Sequence, residues 1–461
     1  MTTTDLTTDA GLTQHTQSWP AFLQQAAASG QPLHSVWLTV VDPHGRLKGK
    51  RISQEYFDPA HPTEMCGYLM TSDGRNNPVT ELSNGDTGYA DMRVIPDFRS
   101  AALMPGEPGV AHVFGHAHGP DGAPLAIDPH AILARQLDRL AQLGLRAKIG
   151  LEAEFVLQHG TRESMQRLGH RPPRPVFTRN LDYSADAPPS VHAYLDAFAR
   201  ALSDSGHPVE TLKCEGAPGQ LEVTFRYGDP LQACWWHLRM QRLAMQLAEQ
   251  KHMTANFMAA PQTNVGNGLH LHLSLWDKDD EPVFSETDPL EESSTSRLDQ
   301  AVGGLLATLP ALAPLYAPTP NSYRRYRKDS FAPTRFNYGL DNRTCAVRVV
   351  GEGAGRRLEI RVPGADAHPF LAVASAVAGI VHGLTKQVKP PTPIAASGYD
   401  DVAPHLPPTL PDAMDAFDSP AAREALGADV VEHYATLGRA LVATHDQQVS
   451  DTDRRLWFER A

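Results

Sequence analysis

Cysteine is scarce in this chain. Only four occur in 461 residues, Cys66, Cys214, Cys234 and Cys345, and no Cys-x-x-Cys pair is among them. A disulfide framework and a cysteine-ligated zinc site are thereby excluded, and reduced thiols in a cytoplasm are expected. Positive charge is also short: 41 Lys and Arg stand against 53 Asp and Glu, for a formal net charge of -12. Neither a nucleic-acid backbone nor an anionic membrane surface is therefore expected as a partner. The longest apolar stretch, Phe370 to Leu384, is too short to cross a bilayer, and Pro369 before it marks the start of a buried helix. Met1 to Gln17 is Thr-rich and lacks the basic segment and apolar run of a secretory signal, so it reads as a frayed terminus. Neither a phosphate-loop sequence nor a dinucleotide fingerprint occurs; Gly351, Gly353 and Gly355 have the wrong spacing.

What is present suits an ordinary globular protein with a large core and more than one domain, 41% hydrophobic and 20% charged. Ser35 to Val41 and Leu47 to Ile52 flank Asp42-Pro43-His44-Gly45 and read as a hairpin. A Gly-, Asn- and Asp-rich zone from Thr71 to Ser100 completes a small β-rich unit. Asp128-Pro129 then offers an N-cap with proline at the first helical position, which puts a domain boundary near residues 120 to 127. Helices are expected over Ala193 to Ser203, Leu231 to Gln250, Ser296 to Leu309 and Ala421 to Thr444, with Lys389 to Pro411 as a Pro-rich surface excursion. The division is a flexible N-terminus with a short helix over 1–34, a β-rich domain over 35–122 and a larger domain over 123–461.

Four segments carry polar residues with a period of two, so that each presents them on one side of a strand. They are Gly150 to Val156 with Glu152 and Glu154, Glu215 to Val223 with Glu215 and Glu222, Gly268 to Leu275 with His270 and His272, and Arg357 to Val362 with Arg357, Glu359 and Arg361. Singly, each has a bland explanation: a solvated Glu-x-Glu face, structural histidines, a glutamate salt-bridged to neighbouring arginines. Together they do not, because a strand cannot bury an unpartnered ionic side. If the strands adjoin, five carboxylates and His270 share one cavity, a donor set suited to Mg²⁺ or Mn²⁺ and not to tetrahedral zinc. Arg325, Arg343, Arg348, Arg357 and Arg361 are concentrated nearby in sequence, and guanidinium groups beside metals indicate phosphate and carboxylate ligands. Phosphoryl transfer is the natural chemistry.

The order Glu-x-Glu-Phe, Glu…Pro-Gly-Gln-x-Glu, Gly-x-His-x-His-x-Ser, Asn-Ser-Tyr-x-Arg…Ala-Pro, Asn-Arg-x-x-x-x-Arg and Arg-x-Glu-x-Arg-x-Pro, running from about Ser35 to about Tyr399, resembles the type I glutamine synthetase superfamily. The resemblance implies an α+β fold: an N-terminal β-grasp domain and a C-terminal catalytic domain whose antiparallel sheet lines the active site. It also implies a homo-oligomer of stacked rings, a dodecamer with active sites between subunits. By the same likeness Glu154, Glu215 and Glu222 hold one metal and Glu152, His270 and Glu359 another, with two or three Mg²⁺ or Mn²⁺ ions per site. Gly266, Arg325 and Arg361 position glutamate, Arg343, Arg348 and Arg357 with His272 hold the transferring phosphate, and Glu210 and Ser274 lie along ATP. The implied reaction phosphorylates the γ-carboxylate of glutamate, and an amine then displaces the phosphate.

The pattern breaks in two places. Glutamine synthetases proper carry a Glu directly before the Ala-Pro of the loop that closes the site, where it helps to trap ammonium; here Phe331 precedes Ala332-Pro333. Their Asp-Gly-Ser-Ser run is also missing, with Asp73-Gly74-Arg75 the nearest remnant. A neutral aromatic binds an apolar substituent better than a small cation. The resemblance is thus to the branch making γ-glutamyl amides from organic amines, the alternatives being an ammonium-using glutamine synthetase and a silent, nitrogen-sensing relative.

Overall fold

The computed structural model describes residues 18–30, 32–169, 174–285 and 295–457. The segment 1–17, expected to be frayed, lies outside the described residues, and the short helix after it is Trp19–Ala28. A first sheet contains β1 (Ser35–Val41), β2 (Leu47–Ser53), β3 (Thr63–Cys66), β4 (Asp91–Leu103) and β5 (Val110–His118), in the order β2-β1-β5-β4-β3. β1 and β2 form a hairpin closed by Asp42, whose Oδ1 accepts from the amides of His44 and Arg46. β1 runs parallel to β5, while β4 is antiparallel to β3 and β5. Trp19 and Phe22 of the first helix cover the core of this sheet beside Phe57 and Phe98.

A second sheet holds β6 (Arg146–His159), β7 (Val209–Cys214), β8 (Gln220–Phe225), β9 (Met253–Asn256), β10 (Leu269–Trp276), β11 (Tyr338–Leu340), β12 (Val347–Val350) and β13 (Arg357–Ile360). Its order is β11-β12-β13-β10-β6-β8-β7, with β9 beside the end of β6. Every pairing from β12 to β7 is antiparallel. One side is a continuous apolar layer: Ile149, Leu151, Ala153 and Phe155, with Leu271, Leu273, Leu221, Val223, Leu358 and Ile360, are fully buried. Each Val, Leu, Ile or Phe side chain among them contributes about 1.5–3 kcal/mol when removed from water. Helices Pro129–Gln142 and Pro230–Gln250 lie on β6, and Pro189–Asp204 packs on the second of them. Sheets and helices together make a mixed α/β fold.

Two long, apolar helices, Arg297–Tyr316 and Pro369–Lys386, pack along each other in the core. They approach closely at Gly304 and Gly383, where an added Cβ would fall 2.2 Å from the Gly379 carbonyl and 1.9 Å from the Gln300 carbonyl. The first runs seven residues past Leu309, through Pro310 and Pro314. Burial of Leu312, Leu315 and Tyr316 outweighs the hydrogen bonds that the prolines remove. The Pro-rich excursion is tied down, since the Ile394 amide donates to the Tyr338 carbonyl at 2.8 Å and the Leu406 amide to the Thr334 carbonyl at 2.9 Å.

Several histidines are buried in this fold as neutral rings. Burial lowers His207, His237 and His368 to about 3 and His433 to about 4, and neither nitrogen of His237 has a hydrogen-bond partner. Between those values and the ordinary 6.5 the unfolded chain binds more protons than the folded one, so stability rises with pH across that window and is lost on acidification. Urea unfolding between pH 5 and 7 will show this slope. His237→Leu should flatten it by about 1.4 kcal/mol per pH unit below pH 6; an unchanged slope contradicts the argument.

Candidate active site

The other side of the second sheet is ionic, and its register sets who meets whom. Glu222 of β8 is opposite both Lys213 of β7 and Glu154 of β6, and Glu152 of β6 is opposite His270 of β10. His272 of β10 is opposite Glu359 of β13, which is opposite Arg348 of β12. The four alternating segments therefore adjoin, in one row of charge from β12 to β7.

Carboxylate oxygens of Glu154, Glu215 and Glu222 lie within 4.8 Å of one another. Glu154 is held by the Gly268 amide at 2.6 Å and by Gln220 Nε2 at 3.3 Å, and the same Gln220 nitrogen donates to the Gly266 carbonyl at 2.8 Å. Lys213 contacts Glu215 and sits 3.6 Å from Glu222 and 3.2 Å from Asp182. Burial and the charges of Glu152, Glu154 and Glu215 push Glu222 up to about 9 despite Lys213.

A second group, Glu152, His272 and Glu359, also has its ligand atoms within 4.8 Å. His270 Nδ1 donates to Glu152 at 2.6 Å and lies 3.8 Å from Glu359, so both histidines reach this group where the resemblance implies His270 alone. Arg357 Nε donates to His272 Nδ1 at 3.2 Å, leaving His272 Nε2 to face Glu152 at 3.4 Å. Burial would raise Glu152, but the histidine hydrogen bonds hold it well below the usual carboxylate range. Glu359 is likewise lowered to about 2, against its burial, by Arg361 and the two histidines, with Arg348 donating to it at 2.7 Å.

These donors fit hard divalent cations: oxygen dominates, imidazole is the minor ligand, and a carboxylate as high as Glu222 marks a cluster short of positive charge. Geometry divides them into two centres on either side of the Glu152–Glu154 pair.

The arginines gather unevenly. Arg325 Nη1 donates to the carbonyls of Arg361 and Val362 at 3.2 and 3.1 Å, and burial lowers its pKa. It passes beside Gly266, where a Cβ would stand 3.1 Å from Arg325 Cγ. Arg361 contacts Glu359 and donates from Nη2 to the Phe331 carbonyl at 3.2 Å. Phe331 has a left-handed backbone, φ +57°, and its side chain is exposed at 65%. A non-glycine residue in that conformation is strained, and such strain is concentrated at functional loops. Arg343 stands apart, exposed on the turn between β11 and β12, with no hydrogen bond among the described residues.

Beside the second group opens a cleft of about 670 Å³, within the range of small-ligand sites. Glu210, Ser274 and Arg357 line it with Glu152 and His272. Its wall also carries Tyr227 and Trp276, stacked at 6.3 Å, with Lys148 3.5 Å above the Trp276 ring. Tyr227, Trp276 and Lys213 escape the sequence reading. Lys213 had a signal, since it alternates in step with Glu215; the two aromatics had none.

The glutamine synthetase catalytic domain family matches residues 126–457. This chain belongs to the glutamine synthetase family. It is 36% identical over 444 residues to the γ-glutamylethanolamide synthetase GlnA4 of Streptomyces coelicolor, covering 95% of each chain. It is 29% identical to a glutamate–isopropylamine ligase of a Pseudomonas species, covering 88% of this chain and 90% of that one. A solved GmaS/ADP complex superposes with a TM-score of 0.82 at 25% identity, over 94% of this chain and 99% of that one.

Proposed function

We propose that this protein is an ATP-dependent ligase that joins the γ-carboxylate of glutamate to a short, partly apolar organic amine. The observation that carries the amine is Phe331, an exposed aromatic at a strained turn, with its carbonyl held by Arg361, where ammonium-using relatives carry a carboxylate.

ATP enters the cleft of Glu210, Ser274 and Arg357, its adenine against Tyr227 and Trp276. Glu154, Glu215 and Glu222 would hold one divalent ion, and Glu152, Glu359 and the histidine pair another, which would supply positive charge against the phosphates. Arg325 and Arg361, beside Gly266, orient glutamate so that an oxygen of its γ-carboxylate attacks the γ-phosphorus and ADP departs. Arg348, Arg357 and His272 face the transferring group, and Arg343 joins them from its exposed turn. The amine nitrogen then attacks the acyl phosphate carbon, inorganic phosphate leaves with the C–O electron pair, and the nitrogen sheds a proton. Exclusion of water from the closed site protects the intermediate.

The first sheet with its helix is the β-grasp domain of this architecture, the division falling near residues 120 to 127. Its assembly is a ring-stacked homo-oligomer, a dodecamer, working in the cytoplasm. Phosphate release with glutamate and a panel of ammonium, ethanolamine, isopropylamine, aniline and putrescine tests the reading. Organic monoamines should exceed ammonium in kcat/KM by at least about tenfold, since a single buried methylene discriminates by that much. Turnover with ammonium alone sinks it. Phe331→Glu should shift the preference towards ammonium.

A further inference from the structure

A second cavity, of about 370 Å³, lies between β4, the helix Trp19–Ala28 and the helices Pro189–Asp204 and Pro230–Gln250. It shares no lining residue with the ATP cleft. Arg239 forms part of its wall and is 2% exposed. Its Nη2 donates to the Ser100 carbonyl at 2.7 Å, its Nε has no hydrogen-bond partner, and no ion pair to a carboxylate is present among the described residues. Burial alone brings this guanidinium down to about 10, with no nearby carboxylate opposing the shift.

The surroundings offer no relief. Arg99, also on the cavity wall, is engaged by Asp97, and Arg242 by Glu107. Asp204 stands exposed at the rim, unpaired with Arg239. The Phe114 ring, 5.5 Å from the guanidinium carbon, gives a cation–π contact that offsets only a fraction of the lost hydration. A buried cation without a counter-charge is among the costliest arrangements in a protein interior. Here it is retained at the edge of a space large enough for a ligand, with Ser203 and Gln232 among the lining residues and Phe22 and Trp236 supplying apolar surface.

We propose that this cavity is an anion-binding site, taking a small phosphate- or carboxylate-bearing molecule against Arg239. It is separate from the ligase centre, and its occupant touches the helix Pro230–Gln250, which begins three residues after Tyr227 of the ATP cleft.

Inorganic phosphate is the probe. Thermal unfolding of the full-length, metal-free protein is followed as phosphate is raised through the millimolar range, in wild type, Arg239→Met, Gln232→Glu and the cleft variant Arg357→Gln. The expected result is a rise in Tm of several degrees for wild type and Arg357→Gln, absent from Arg239→Met. Gln232→Glu, which supplies a carboxylate from the cavity wall, should start from a higher Tm and respond less. A response lost in Arg357→Gln but kept in Arg239→Met assigns the anion to the ATP cleft and overturns the proposal, as does equal response in all four or none in wild type. If Arg239→Met does not fold, Gln232→Glu decides: an undiminished response in it also overturns the proposal. Repeating the titration with a short dicarboxylate distinguishes a phosphate from a carboxylate occupant.

Discussion

Glu359→Gln should lower turnover by about a thousandfold, the scale of losing a preorganised electrostatic group at a phosphoryl-transfer centre. The substitution keeps the shape and removes the charge on which Arg348, Arg361 and the histidine pair converge. It should also destabilise the metal-free protein, since two guanidinium groups lose a buried carboxylate. Breaking a buried pair costs about 3–5 kcal/mol. Steady-state phosphate release and calorimetry without divalent ions measure the two effects. A variant that keeps more than a tenth of wild-type turnover removes Glu359 from the centre.

Chelation is the second large effect. The two proposed cation sites, each filled at a hundred times its Kd, would together contribute about 5 kcal/mol of stability. EDTA should therefore lower Tm by roughly 5 °C. Glu222→Gln separates the sites. Because Glu222 is pushed up to about 9, its contribution to stability is full below the ordinary carboxylate value and is lost as pH rises towards 9. At pH 7 the metal-free protein thus carries a penalty of up to about 3 kcal/mol that a neutral glutamine relieves. The variant should melt higher than wild type in EDTA and recover only about half as much on adding Mg²⁺. Full recovery would show that the Glu154, Glu215 and Glu222 group binds no stabilising ion.

Much of this site is legible in the residues alone because a period of two states which side chains share a face, and the demand that ions not be buried unpaired states that those faces must meet. What alternation leaves open is register, and the partners follow from register. His272 faces Glu359 and His270 faces Glu152 only because β10 lies between β13 and β6 in that alignment. Nearness in sequence also misleads: Arg343 and Arg348 are five residues apart, yet one is exposed on a turn and the other buried on β12. The helix ending at Tyr316 carries a similar lesson. Local chemistry argues for a stop at Pro310, and a distant helix packed on the same residues overrides it. The neutral residues that complete this cleft, Tyr227 and Trp276, carry no periodic mark and become visible only when β10 and β8 are laid on either side of β6.

β6 supplies Glu152 to one group and Glu154 to the other, so a single strand acts as the ruler between two centres. Its pleat sets their backbone separation at about 6.8 Å, a length that no side-chain rearrangement can adjust. Inserting one residue between Gly150 and Glu152 would turn both glutamates to the apolar side and dismantle both groups at once. Mutational tolerance along this protein should therefore have its sharpest minimum on a strand interior rather than on the loops around the cleft.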